Sequence, residues 1–305
     1  MNTFWEKMHI MNTNQDSFSH RGIEPEDSVL YIVGTPIGNL KDISERAVKI
    51  LSNVSFIACE DTRNTRKLLQ YLGISNRLIS FNDHNAKIKS QFIVSELKKK
   101  KSIALVSDAG MPLISDPGEL LINEVRKAAF EVITIPGPCA AIAALVCSGL
   151  PNSKFAFYGF LPKSGKGRIE ILNSIYISKL TSIIYESPKR IIRLLLDLKE
   201  LCGDERRISI SKELTKKYEQ NIGNNLKDAI DYFTDTKPMG EYTIIISPYK
   251  EIQNIKEEQE EKNFFRKELI ELIEAGLSHS SASTYLAKKY KKSKNKIYNL
   301  LLHEK

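Results

Sequence analysis

The chain is poor in the residues and runs that would define several protein classes. It has four cysteines and one tryptophan in 305 residues. No apolar run nears the roughly 20 residues that a membrane helix needs, the longest being Ala140 to Cys147, so no membrane association is expected. Cys59, Cys139, Cys147 and Cys202 are scattered without C-x-x-C spacing, each in or beside an apolar stretch. That pattern argues against a zinc site and a disulfide framework and predicts buried free thiols. No cluster of His, Cys and acid suggests a metal. Met1 to Asp27 has no basic start followed by an apolar core, so a disordered extension and a cytoplasmic protein are expected, not a signal peptide.

What is present is ordinary globular composition, 42% hydrophobic and 27% charged, in a chain long enough for two compact domains. Charge is unevenly placed. Lys262 to Lys305 holds ten Lys and Arg against four Glu, which is +6 of the chain's +8. A compact basic module favours a polyanionic partner, nucleic acid ahead of membrane.

The most informative stretch runs from Ser107 to Gly118. It follows the apolar run Ile103 to Val106 and holds two Gly, two Pro and two Asp. Ligands in open α/β sheets sit outside the carboxyl ends of strands, where glycine permits close backbone approach and short acids can accept from hydroxyls. A second loop, Gly34 to Leu40, follows Tyr31-Ile32-Val33 and precedes a helical pattern. Neither the lysine of a phosphate loop nor the third glycine of G-x-G-x-x-G is present. The pair of loops therefore suits a nucleoside-bearing ligand without a polyphosphate.

Strands and helices alternate from about Ser28 to Ser148, predicting a parallel sheet flanked by helices, with a small-residue helix over Ala140 to Val146 packing on that sheet. The boundaries read as an extension over 1–27, an α/β domain over 28–150 and a second α/β domain over 151–249. A charged linker over 250–261 and a basic module over 262–305 complete the chain. Three helical patterns in the module, near 264–275, 280–290 and 293–302, suit either a helix-turn-helix or a plain docking bundle. Gly276 fits a helix C-terminus, and Ser278, Ser280 and Ser293 fit N-caps.

Several motifs then occur in order: Gly34-Thr35-Pro36-Ile37-Gly38-Asn39-Leu40, Cys59-Glu60-Asp61-Thr62-Arg63, the Ser107 to Gly118 loop and Pro136-Gly137-Pro138. Gly159-Phe160-Leu161-Pro162, Tyr185-Glu186-Ser187-Pro188, Glu213-Leu214-Thr215-Lys216 and Gly240-Glu241 follow. With these the chain resembles the ribosomal RNA small-subunit methyltransferase I family, a branch of the tetrapyrrole methylase superfamily. The resemblance implies a two-domain α/β fold that binds S-adenosyl-L-methionine between its domains. It also implies a homodimer and 2′-O-methylation of a cytidine in small-subunit ribosomal RNA. Carried over by motif, the cofactor contacts are Pro36, Asp108, Gly110, Ile114, Ser115, Asp116, Phe160, Glu186 and Gly240. In the stretch Asn82-Asp83-His84-Asn85-Ala86, Asn82 and Ala86 depart from the family pattern and take no role from it. Lys189 stands where the family has His, and Lys212 where it has Arg.

A ribose hydroxyl is a poor nucleophile until its proton is removed, so a base or a charge-stabilising group is expected near it. Glu60, Asp61, His84, Lys212 and Glu213 are the candidates, His84 more often structural in such a setting; Glu60, Asp61, Lys212 and Glu213 form the expected catalytic set. Glu60 and Asp61 follow an apolar strand, a position that suits a site. It equally suits an N-cap with a local Asp61 ion pair to Arg63 or Arg66. Lys163, Lys166 and Arg168 read as a flexible basic segment able to hold RNA phosphates. Methylation of a tetrapyrrole ring, or RNA binding without catalysis, are the alternative functions for the same chain.

Overall fold

The computed structural model describes residues 24–290 and 292–301; the expected extension lies outside the described residues up to position 23. From Glu24 onward the chain is held. The Glu24 carboxylate is buried and accepts from Nε and Nη2 of Arg46 at 2.8 and 2.6 Å, so Glu24, expected within the extension, is tied to the first unit.

Five parallel strands form the first sheet: β1 (Val29–Val33), β2 (Phe56–Cys59), β3 (Leu78–Ser80), β4 (Ile103–Val106) and β5 (Glu131–Ile135), in the order β3-β2-β4-β1-β5. Val29, Tyr31 and Val33 face one side, packed with Ala47, Ile50 and Leu51 of α1 (Glu45–Asn53) and Leu69 of α2 (Thr62–Tyr71). Leu30 and Ile32 face the other, packed with Ile93 and Leu97 of α3 (Ala86–Leu97) and Leu121 and Val125 of α4 (Glu119–Lys127). Covering both faces is why β1, β2 and β4 read as continuous apolar runs without alternation.

α5 (Ala140–Cys147) follows β5 but does not pack where the sequence suggested. Its Ala141, Ala144 and Leu145 join Ile183 and Ile245 on one face of a second sheet. Alanine at two of these contact positions lets the helix lie close to the strands, and that pairing carries the first half of the chain into the second unit. Cys147 of this helix is exposed, against the expectation of burial, whereas Cys59 is buried; all four thiols are free.

The second sheet comprises β6 (Phe155–Phe160), β7 (Thr181–Glu186), β8 (Ile208–Lys212), β9 (Gln220–Ile222) and β10 (Tyr242–Ile246), ordered β6-β7-β10-β8-β9. The β6–β7 pair is parallel and the others antiparallel. Its far face is covered by α6 (Lys166–Tyr176), α7 (Ile191–Cys202) and α8 (Leu226–Asp235), through Leu172, Leu194, Leu198, Leu226 and Phe233.

The stretch expected as a linker, 250–261, is the first half of one 26-residue helix, α9 (Tyr249–Glu274). Tyr249 anchors its start: its N–H donates to Ser178 O at 2.8 Å and its ring meets Tyr176 edge-on at 5.1 Å. α10 (His279–Tyr290) and α11 (Lys294–Tyr298) complete a helical unit with its own core of Phe265, Leu269, Ala282, Leu286 and Ile297. Gly276 takes φ +97° after α9, and Ser278 Oγ accepts from Ser281 N at 3.2 Å at the start of α10. Among the described residues no helix is long and apolar enough to cross a membrane.

Candidate active site

Three loops meet at the carboxyl ends of β1, β4 and β5. Thr35 N donates to Gly110 O at 2.9 Å and Gly110 N returns a bond to Thr35 O at 3.1 Å, stitching the first two together. The third crosses so closely that a Cβ on Gly34 would lie 2.6 Å from Gly137 Cα, backbone against backbone. In the Ser107 to Gly118 loop, Leu113 and Ser115 hold left-handed φ of 72° and 67°. Side chains disfavour that region, and such strain collects at ligand sites. Ser115 also touches the second unit: a Cβ on Gly159 of β6 would lie 2.8 Å from its Oγ.

Between the two sheets these loops enclose a cavity of about 420 Å³, within the size range of small-ligand sites. Asp108, Gly110, Ile114, Ser115 and Asp116 line it from the first unit, and Phe160 and Glu186 from the second, all of them expected cofactor contacts. Pro36 and Gly240 do not line it; their neighbours Ile37 and Glu241 do. Tyr185, Leu214 and Tyr242 are lining residues that the sequence reasoning missed. Tyr185 and Leu214 stood inside quoted motifs, whereas Tyr242 follows the Gly240-Glu241 motif at the start of a buried strand, where nothing local separates wall from core.

Glu186 is the most telling of these groups. Its side chain is 1% exposed; Oε1 accepts from Ser187 N and Arg190 Nε, both at 2.7 Å, while Oε2 has no partner. An unpaired buried carboxylate oxygen in a cavity wall calls for a donor from a ligand. Tyr185 next to it is pushed well above the ordinary phenol range by burial, so it stays protonated, and its hydroxyl accepts from Ala141 N at 3.0 Å.

A second, more open cleft of about 490 Å³ adjoins the first, and Asp108 lines both. Glu60, Asp61, Arg63, Asn82, Asp83 and His84 also line it. Asp108 ties the loop to α2: its Oδ1 accepts from Asp61 N at 3.1 Å and its Oδ2 from Asn64 Nδ2 at 2.8 Å. Asp61 caps α2, accepting from Arg63 N at 2.8 Å and from Arg63 Nη2 at 2.6 Å, and the Arg63 side chain holds its pKa down at about 2. Glu60 is shifted the other way, raised by partial burial and then by the negative charges of Asp116, Asp108, Asp83 and Asp61. Adjacent carboxyls driven apart in this manner take different roles in acid–base chemistry.

Lys212 and Glu213 line neither cavity. Lys212 Nζ donates to Gln220 Oε1 at 3.4 Å. Glu213, at φ 53°, accepts on Oε1 from Lys216 Nζ at 2.9 Å and Glu241 N at 3.0 Å, and Lys216 also donates to Glu241 Oε2 at 2.8 Å. Partial burial pushes its carboxyl upward, but the bonds from Lys216 and Glu241 N outweigh that and leave its pKa lowered. Leu214 and Glu241, which do line the cavity, are fixed by this network. Arg168 departs from its expected place on a flexible segment: it lies buried in α6, with Nη2 2.6 Å from Asp197 Oδ2, while Lys163 and Lys166 are exposed.

The fold and its cleft define the class, and residues 29–230 match the family Tetrapyrrole (Corrin/Porphyrin) Methylases. Ribosomal RNA small subunit methyltransferase I of Synechocystis sp. is 42% identical over 276 residues, covering 90% of this chain and 97% of that protein. Its namesake from Thermotoga maritima is 44% identical over 218 residues, 72% of this chain and 97% of its own length. The structure of a cobalt precorrin-4 methyltransferase superposes with a TM-score of 0.56 at 13% identity, over 72% of this chain and 95% of that one, a likeness of fold alone. The chain belongs to the tetrapyrrole methylases and, within them, to the ribosomal RNA small subunit methyltransferase I family. S-adenosyl-L-methionine, the methyl donor that such a family implies, fits the residues present. The unpaired Glu186 Oε2 can accept from its hydroxyl or ammonium groups, Asp108 and Asp116 offset its positive charge, and Ile37, Ile114 and Leu214 give apolar walls.

Proposed function

We propose that the protein is an S-adenosyl-L-methionine-dependent methyltransferase acting on the 2′-hydroxyl of a cytidine in small-subunit ribosomal RNA. Its substrate is the RNA or the ribosomal subunit, and it works as a homodimer in the cytoplasm. The observation that carries this reading is the pair of cavities sharing Asp108, one deeper and carrying an unpaired buried acceptor, the other more open and lined by acids. The names of the Synechocystis and Thermotoga relatives supply the substrate class; the cytidine, its 2′ position and the homodimer rest on the sequence resemblance.

When bound, the cofactor supplies a methyl group already activated on a sulfonium. The protein's tasks are to align the acceptor oxygen, exclude water and take one proton. Glu186, Asp108 and Asp116 hold the donor, with Gly110 and Ser115 shaping the loop against it. Glu60 takes the proton of the acceptor hydroxyl, its raised pKa making it a stronger base than an ordinary glutamate. Asp61, fully ionised and bound to Arg63, fixes the start of α2 and keeps Asp108 in place. Lys212 and Glu213 act from behind the wall as positioning residues.

Methyl transfer from labelled S-adenosyl-L-methionine to small ribosomal subunits tests this reading, with the product located by nuclease digestion and mass spectrometry. A single 2′-O-methylcytidine is the expected result. Tight cofactor binding with no label in RNA would overturn it and leave tetrapyrrole methylation or RNA binding without catalysis.

A further inference from the structure

The loop between β8 and β9 carries a feature that methyl transfer itself does not use. Lys216 N donates to Glu213 O at 3.0 Å and Glu219 N to Lys216 O at 3.1 Å, making two successive turns. Thr215, at φ 65°, donates through its N–H to Glu219 Oε2 at 2.8 Å, and Lys216 is clamped between Glu213 and Glu241. The loop is thus rigid, and it is seated at the cleft. Leu214 lines the donor cavity, and Thr215 Oγ1 accepts from Asn39 N at 3.1 Å across the two units. A Cβ on Gly38 would lie 2.5 Å from Lys216 Cγ, so the contact is close as well as bonded.

At the centre of the second turn stand Lys217 and Tyr218. Tyr218 is 67% exposed, and the Lys217 ammonium lies 5.4 Å from its ring centroid. A single exposed tyrosine on a surface is ordinary. One held on an immobilised turn, with a cation at its ring and the cleft four residues away, has the parts of a nucleic-acid stacking platform. A nucleotide whose ribose enters the cleft must leave its stack, which unstacks its neighbour as well.

We infer that the Lys217–Tyr218 turn binds RNA: Tyr218 stacks on an unpaired base next to the methyl acceptor, and Lys217 neutralises an adjoining phosphate. This inference rests on the RNA reading of the cleft.

Binding of small-subunit RNA by the full-length protein, at several salt concentrations, tests it, with cofactor affinity measured separately by calorimetry. Tyr218→Ala should weaken RNA binding about tenfold or more, the usual effect of losing one base–aromatic stack. It should raise KM for RNA while leaving kcat and cofactor affinity near wild type, and Tyr218→Trp should restore binding. Lys217→Ala should lower the slope of log affinity against log salt by about one phosphate's share. Wild-type affinity in Tyr218→Ala, alongside a wild-type protein that binds and methylates RNA, would overturn the turn's role alone. So would an unchanged RNA affinity accompanied by a new sedimentation state, which would make the turn a subunit contact. A wild-type protein that bound no RNA would remove the RNA reading and this inference together.

Discussion

The two walls of the cleft are made differently. The first unit contributes loops from the carboxyl ends of parallel strands, and because such ends all point one way, the loops after β1, β2 and β4 converge without further design. The loops after β2, β3 and β4 concentrate acid: Glu60, Asp61, Asp83, Asp108 and Asp116 line the two cavities. The second unit contributes a mixed sheet whose wall interleaves Phe160, Tyr185, Leu214 and Tyr242 with polar side chains, with one oxygen of the buried Glu186 carboxylate left unpaired and a Glu213–Lys216–Glu241 network behind it. On the proposed function, proton chemistry belongs to the first wall alone, whereas the grip on the donor is shared by the two, with Glu186 as the second wall's part.

Glu60→Gln breaks the first half of that division most sharply. Removing a general base typically costs about 10²- to 10⁴-fold in rate, so kcat should fall by that order while cofactor affinity, by calorimetry, stays near wild type. The pH profile should change too. A raised pKa means that Glu60 keeps its proton to a higher pH than a free glutamate, so wild-type kcat should fall as pH drops through that raised value. In Glu60→Gln this acid limb should vanish. A variant that kept the limb would move the base elsewhere.

Glu186→Gln is the matching cut in the second wall. Hydrogen bonds to charged groups contribute about 1.5–3 kcal/mol, so cofactor affinity should fall about 10- to 100-fold, with kcat at saturating cofactor much less affected. The reverse pattern, intact binding with lost turnover, would place chemistry on the second wall and end the division.

The same contrast governs how much the sequence revealed. The first unit was legible because β1, β2 and β4 are buried on both faces and end in glycine- and acid-bearing loops, two signals that local reading detects. The second was less so. β9 spans three residues, α8 and α6 lay in stretches given no helix, and the lysines beside Arg168 masked its burial in α6, where it pairs with Asp197 of α7. α5 showed its small residues plainly, but which sheet they approach is a tertiary fact. For the site, the motifs reached Glu186 and Asp108, and the spacing of Asp61 and Arg63 announced their ion pair, yet nothing local marks Glu60 as the carboxyl that is raised. Asp61 is lowered by Arg63 two residues on, whereas Glu60 is raised first by its partial burial and then by the charges of Asp116, Asp108, Asp83 and Asp61.

The two walls also differ in how they answer crowding. A Cβ on Gly34 meets the Gly137 backbone at 2.6 Å, whereas one on Gly240 meets the Glu213 side chain at 2.6 Å, at a φ of +84°. Backbone cannot swing aside. Overpacking typically costs about 1–3 kcal/mol, and Gly34→Ala should lie toward the upper end, lowering the melting temperature and cofactor affinity together. In Gly240→Ala the left-handed φ strains any side chain whatever the space, and the Glu213 it meets is held by Lys216 and Glu241 N, so Glu213→Ala should relieve the clash and leave the backbone strain. An unchanged loss in the Glu213→Ala background would mean that backbone strain alone sets the cost.

The helical unit stands apart from both walls: among the described residues it shares no core cluster with them. The Thermotoga relative aligns over 97% of its own length with only 72% of this chain, so a family member does without a segment of this size. Deleting residues 251–305 keeps Tyr249 on Tyr176 and removes the basic stretch 262–305, at +6, together with the acidic 251–261, at −4. Cofactor affinity and the melting temperature of the α/β units should change little. RNA affinity should drop by about one order at low salt, with a flatter dependence on salt because fewer phosphates are neutralised. The flattening matters more than the drop. A weaker affinity with an unchanged slope would mean that the helical unit acts by shape or by pairing subunits, and the clamp on RNA would then lie with the rim of the cleft.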